Sequence, residues 1–110
     1  MERGGQRYIR NEHYDVAAVS YDVLADDRMA TLLVSHTATA PVTINLKSAW
    51  IAKGGNTITV KDSGMNASLN NITVATEAGE LIEGSALDLV INVDGASVTL
   101  QTDGSDVFII

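Results

Sequence analysis

The sequence predicts an all-β domain, an Ig-like antiparallel β-sandwich of about seven or eight strands. Apolar and polar residues alternate with a period of two along most of the chain, which is typical of half-buried strands. Turn-forming Gly, Asp and Asn residues separate the alternating segments at regular spacing. No window sustains a helical period. The 110 residues suffice for one domain with one core.

The expected strands follow one another along the whole chain. The first is long and kinked near Ala17-Ala18, and the third continues through Trp50 and Ile51. Asp94-Gly95 predicts a hairpin, because both central residues of a type I′ turn have positive φ, and Gly54-Gly55-Asn56 predicts another. Residues 77–85 predict a loop. In chain order, the predicted strands are 13–24, 29–36, 42–51, 57–61, 69–76, 87–93, 97–101 and 107–110.

Two apolar features allow more than one interpretation. Trp50 could be an exposed residue that stacks on sugars or contacts a partner, but we favour a core tryptophan on a central strand. Phe108-Ile109-Ile110 is apolar on both faces of its strand. Such a strand is covered by its own domain or paired with another chain, and we expect the former.

The start of the chain differs in composition from the rest. Residues 1–11 form a polar N-terminal segment, which we interpret as the cut end of a longer protein, and residues 12–110 form the β-sandwich domain. A natural short N-terminus is the alternative. No segment reaches the ~18 consecutive apolar residues of a membrane helix.

Charge and cysteine content narrow the function classes. The formal net charge is −7, and the basic residues are scattered, which argues against nucleic acids and anionic membranes as partners. The absence of cysteine excludes disulfides, thiol catalysis and cysteine-ligated metals.

The sequence holds no catalytic, cofactor-binding or metal-binding constellation, so we predict that the protein is not an enzyme. His13 and His36 are interpreted as ordinary strand-end histidines, because a metal site needs three or four converging ligands. The acidic pairs Asp26-Asp27 and Asp103…Asp106 are interpreted as turn residues rather than calcium ligands.

Two sequons are candidate glycosylation sites. They are Asn66-Ala67-Ser68 and Asn71-Ile72-Thr73, and both lie in or beside a predicted turn.

Two stretches carry a resemblance to a known family. Thr31 to Ile44 resembles the TLxVxNTGTxPVTI stretch of archaeal pilins and archaellins, with His36 at the position of the motif's Asn. Ser97 to Phe108 is similar to the closing SVTVxTxxGNVF segment of the same proteins. The resemblance covers residues 12–110 and extends to archaellum accessory proteins of the stator type.

The resemblance implies a structural or interaction domain of an archaeal cell-surface appendage. It implies an extracellular or pseudoperiplasmic location, a membrane anchor through an upstream helix, and protein partners among envelope, filament or motor components. A homo-oligomer is expected, and no small-molecule substrate. The alternative is a carbohydrate-binding or adhesion sandwich from a larger secreted protein.

Overall fold

The computed structural model describes residues 12–110, which form two mixed β-sheets and one short helix. We number the elements in chain order. They are β1 (Glu12–Val16), β2 (Ser20–Val23), β3 (Met29–Val34), β4 (Val42–Leu46), α1 (Ser48–Ile51), β5 (Thr57–Asp62), β6 (Ile72–Thr76), β7 (Leu89–Ile91), β8 (Ser97–Thr102) and β9 (Val107–Ile109).

The strands are distributed alternately between the two sheets. The five-stranded sheet has the order β9-β8-β5-β3-β1, and the four-stranded sheet has the order β2-β4-β6-β7. The first six strands change sheet at every step, so each sheet gains every second strand. The prediction of an all-β fold is therefore confirmed.

The prediction of an antiparallel arrangement is wrong for four of the seven strand pairs in the described residues. The pairs β1–β3, β3–β5, β2–β4 and β4–β6 are parallel, whereas β5–β8, β6–β7 and β8–β9 are antiparallel. Parallel neighbours need a long crossover connection. Here a strand of the opposite sheet forms part of each crossover, a pattern that period-two alternation alone does not distinguish from hairpins.

One hydrophobic core lies between the sheets. Every second residue of the central strands points into it, as in β3, where Ala30, Leu32 and Val34 are buried, and β4, where Val42, Ile44 and Leu46 are buried. Aliphatic side chains dominate the core, and Trp50 is its largest member.

The predicted strand over residues 13–24 is two strands in different sheets. The chain crosses between sheets at the exposed residues 17–19. The carbonyl of Val16 accepts from Ser35 N at 3.1 Å, and the carbonyl of Val19 accepts from Thr43 N at 2.9 Å. Each half of the segment is therefore bonded to its own sheet. The described residues consequently hold nine strands rather than seven or eight.

The predicted strand through Trp50 and Ile51 is instead the helical turn α1. Both side chains are buried, although adjacent residues of a strand point to opposite faces. The helical turn directs both into the core. Trp50 Nε1 donates to the carbonyl of Asp27 at 2.7 Å. The expected core position of Trp50 is thus confirmed, but its place on a central strand is wrong.

Neither predicted hairpin forms. The turn at Asp94-Gly95 connects β7 of one sheet to β8 of the other, and Gly54-Gly55-Asn56 connects α1 to β5. Gly95 has the expected positive φ, 77°, but Asp94 does not, so the predicted type I′ turn is wrong as well as the pairing. The loop over residues 77–85 is confirmed; Gly79 and Gly84 have positive φ.

The C-terminal strand is less covered than expected. β9 pairs with β8, but Phe108, Ile109 and Ile110 are 41%, 42% and 66% exposed. The expectation that their own domain covers them is wrong, because β9 lies at the edge of its sheet. The polar segment 1–11 lies outside the described residues.

Candidate interaction surfaces

The two open sides between the sheets differ in how they are closed. We call the side where the edge strands β1 and β2 lie the aromatic side. There the rings of Tyr14 and Tyr21 stack, with centroids 6.3 Å apart and an interplanar angle of 28°. Tyr14 Oη donates to Glu12 Oε1 at 2.5 Å, and Tyr21 Oη donates to Asp27 Oδ2 at 3.4 Å. Stacked aromatics with acidic acceptors thus cover this side.

The acidic surroundings change the ionisation of both phenols. The hydrogen bond to Glu12, together with burial and nearby carboxylates, raises the pKa of Tyr14 to about 12. Burial and the charge of Asp27 raise the pKa of Tyr21 to about 12. Both phenols therefore stay protonated well above the ordinary range of tyrosine.

An open groove of about 760 Å³ lies beside Tyr14. Its walls mix acidic, basic and amide side chains, among them Asp26, Arg28, Lys53 and Gln101. Such a polar lining could hydrogen-bond a hydroxyl-rich ligand.

The opposite side, where the edge strands β7 and β9 lie, we call the aliphatic side. Here the segment 81–83 runs along the outer edge of β9. Val107 N donates to the carbonyl of Leu81, and Glu83 N donates to the carbonyl of Val107, each at 2.9 Å. Glu83 Oε2 accepts from Ile109 N at 2.7 Å. The outward amides of β9 are therefore occupied, which protects this edge against strand addition.

The aliphatic side also carries a shallow apolar groove. It has a volume of about 280 Å³ and is lined mainly by Ile82, Leu87, Leu89 and Ile109. Leu87 is 79% exposed at its mouth. Other exposed apolar side chains on β7, β9 and their flanks are Val90, Val93, Phe108 and Ile110. An exposed apolar groove is typical of protein contact sites.

A buried polar pair lies where β3 and β5 end. His36 Nε2 is 3.1 Å from Asp62 Oδ1, within ion-pair distance, and the two side chains are 1% and 0% exposed. The contact lacks hydrogen-bond geometry. Asp62 Oδ2 accepts from the amides of Asn66, Ala67 and Gly95 at 2.9–3.0 Å. One carboxylate therefore ties the loop after β5 to the turn before β8.

The amides determine the ionisation of Asp62. Burial by itself raises the pKa of this carboxyl. The hydrogen bonds from Gly95, Ala67 and Asn66, together with the nearby His36, lower the pKa by more than burial raises it. The net pKa therefore lies below its ordinary value. Asp62 is accordingly a buried anion that three backbone donors stabilise.

The structure does not bring the two histidines together. His13 lies opposite Thr31 in the parallel β1–β3 pair and is exposed. His36 lies five residues beyond Thr31, past the end of β3. Among residues 12–110, no three His, Asp or Glu side chains form a cluster able to hold a metal ion.

The acidic turn residues bond to nearby backbone. Asp103 Oδ1 accepts from Ser105 N and Asp106 N at 2.9 and 2.8 Å, Asp106 Oδ1 accepts from Leu81 N, and Asp27 Oδ2 accepts from Leu24 N. The amides of the turn hold the pKa of Asp103 below its usual value. These contacts agree with the interpretation as turn residues.

The two sequons differ in accessibility. Asn71 is exposed immediately before β6, whereas Asn66 is half-buried and its backbone N–H donates to Asp62 Oδ2. The side chain of Ala67 within the first sequon is fully buried.

Sequence reasoning missed Asp62 and Glu83 as contact-forming residues. Asp62 follows the predicted strand 57–61 and Glu83 falls in the predicted loop 77–85, and neither lies in a recognisable motif. The available signal was the alternation in β5, which places Asp62 on the same face as the core residues Ile58 and Val60.

Comparison with known proteins matched no family model and no curated sequence. Within residues 12–110, no helix has the length and apolar character needed to cross a membrane.

Proposed function

We propose that this chain is a non-enzymatic interaction domain of an archaeal cell-surface appendage, either an archaellum accessory protein or a pilin-like subunit. It acts through contacts with envelope, filament or motor proteins outside the membrane, and an upstream helix anchors it. We further propose that its two sheets are a variant of the Ig-like sandwich of such proteins, altered by parallel strand pairs.

The observation that carries this proposal is the aliphatic side. Leu87, in the apolar groove, is 79% exposed, and Ile110, next to β9, is 66% exposed, in a chain whose net charge of −7 otherwise favours a polar surface. Exposed aliphatic side chains cost free energy in water unless a partner covers them, at about 25 cal/mol per Å² of apolar surface. A contact function explains why they are retained.

The backbone at His36 adds support for the family resemblance. His36 has a φ of 56°, in the left-handed region where Asn is several-fold enriched. The pilin-like motif places Asn at this position, so the same loop conformation suits both sequences.

Immunogold electron microscopy of the source cells tests the proposal, with an antibody raised against residues 12–110. We expect label on the cell surface, at the base of an appendage for an accessory protein or along the filament for a subunit. Deletion of the gene should remove the label and impair the appendage. Cytoplasmic label, or normal appendages after deletion, would contradict the proposal.

The groove beside Tyr14 favours a second candidate, a carbohydrate-binding module. Its amide and charged side chains suit sugar hydroxyls, although Trp50 is buried and supplies no stacking platform. A glycan array with the wild type and Tyr14→Ala tests it. Binding that the substitution abolishes would support this candidate, and no binding to any glycan would exclude it.

A further inference from the structure

We propose that the chain forms a two-fold symmetric dimer in which β7 pairs antiparallel with β7 of a second copy, in a register centred on Val90. This inference deepens the proposed function by naming a partner for the aliphatic side. Pairing of two copies does not itself require an archaeal appendage, so the dimer can be tested separately.

The edges of the aliphatic side differ in their availability. Segment 81–83 and the Glu83 carboxylate occupy the outer edge of β9. β7 is the last strand of its sheet and pairs, among the described residues, with β6 alone. Val90 is 45% exposed at its centre. An unprotected edge of this kind is a template for another strand.

The sequence around β7 is nearly symmetric about Val90. In an antiparallel register centred there, Leu89 lies opposite Ile91 of the second copy, and Leu87 and Val93, at the bends that flank β7, come near each other just beyond the paired strands. Leu87 and Val93 are 79% and 62% exposed in one chain. The pairing therefore brings Leu87, which lines the apolar groove, close to an apolar side chain of the second copy.

The charges of this strand are compatible with a second copy. In the same register, Asp88 lies opposite Asn92 of the second copy, so a carboxylate faces an amide rather than another acid. Glu83 already binds Ile109 N. The aromatic side is less suitable for self-pairing, because it concentrates carboxylates that would repel those of another copy. They are Glu12, Asp15, Asp22, Asp26 and Asp27.

Sedimentation equilibrium of the full chain over a range of concentrations tests the dimer. We expect the wild type to dimerise. Val90→Lys places two ammonium groups together at the two-fold axis and should raise the dimer dissociation constant at least about tenfold, equivalent to about 1.4 kcal/mol. Phe108→Lys is the matched control, because Phe108 is similarly exposed but lies on the protected β9. It should leave the dimer intact.

Charge complementation tests the register itself. Val90→Lys and Val90→Glu should each be monomeric, and an equimolar mixture should form a heterodimer, because Val90 faces itself across the axis. Thermal unfolding of each variant confirms that it is folded. A monomeric wild type, a persistent Val90→Lys dimer, or a mixture that stays monomeric would overturn the proposal. None of these results would alter the expected cell-surface label, so the two proposals fail separately.

Discussion

His36 and Asp62 form a buried pair in which Nε2 and Oδ1 lie 3.1 Å apart, at the end of two adjacent parallel strands. The Asp62 carboxylate also accepts hydrogen bonds from three backbone N–H groups, so it connects the loop after β5 to the turn before β8. The same carboxylate holds the Asn66 sequon segment in place. Asp62 therefore joins the end of β5, the following loop and the turn before β8 through one buried carboxylate.

Replacement of Asp62 with Ala should therefore be severe. It leaves the amides of Asn66, Ala67 and Gly95 without an acceptor and His36 without its neighbour. We expect a loss of about 3 kcal/mol or more in the free energy of unfolding, measured with urea. Asp15→Ala, at an exposed position of β1, is the control and should change stability by less than about 0.5 kcal/mol. Equal effects would contradict this role.

The lowered pKa of Asp62 predicts acid lability. In the unfolded chain the carboxyl titrates near 3.8, and in the folded chain it titrates lower. Its contribution is therefore complete above the unfolded pKa and is lost as pH falls through the folded pKa. Urea midpoints between about pH 6 and pH 2 should fall more steeply for the wild type than for Asp62→Asn. Parallel curves would show that other carboxylates cause the acid sensitivity.

The tyrosine pair predicts the opposite dependence at high pH. Folding raises the pKa of both phenols from 10.0 to about 12. The stabilisation is present below pH 10 and is lost as pH rises through about 12. The tyrosinate absorbance of the folded chain should show two late-titrating phenols, and Tyr14→Phe should remove one. Titration of both phenols near 10.0 in the folded chain would contradict the acidic, partly buried surroundings of the pair.

Trp50 is the single tryptophan of the chain and reports on its own burial. Trp50→Phe removes the donor to the carbonyl of Asp27 and should cost about 1–3 kcal/mol, because that partly buried acceptor loses its partner. Fluorescence of the wild type should shift to longer wavelength on unfolding. A native-state emission maximum at the wavelength of a water-exposed tryptophan would contradict the core position of Trp50.

The two sequons should behave differently in the source organism. We expect a glycan on Asn71, which is exposed, and none on Asn66, whose segment the Asp62 carboxylate fixes. Mass spectrometry of the native protein measures this, with Asn71→Gln and Asn66→Gln as variants. Loss of the glycan in Asn66→Gln alone would reverse the assignment.

The all-β class and most strand positions could be predicted because period-two alternation depends on local burial. The sheet to which each strand belongs could not be predicted, since Ala17-Ala18 is compatible both with a kink in one strand and with a crossing between sheets. The turn at Asp94-Gly95 has the local chemistry of a hairpin, yet it joins different sheets. Strand pairing depends on contacts distant in sequence, which turn residues do not encode.

The contact surfaces were predictable only in part. The apolar character of residues 107–110 was evident, and so was the choice between internal cover and pairing. Only the exposed fractions of these side chains decide between the two. Those fractions depend on the position of β9 at the edge of its sheet. The Glu83–Ile109 contact was not predictable, because it joins residues 26 positions apart without a motif.

The alternation of strands between the sheets has a consequence for how the protein forms. Neither sheet is a continuous piece of sequence, since β1, β3 and β5 belong to one and β2, β4 and β6 to the other. The five-stranded sheet is complete only when β8 and β9, the last two strands of the chain, are present. Non-local pairing of this kind slows folding. We therefore expect both layers to assemble in one late, cooperative step, and no shorter fragment of residues 12–110 to fold by itself.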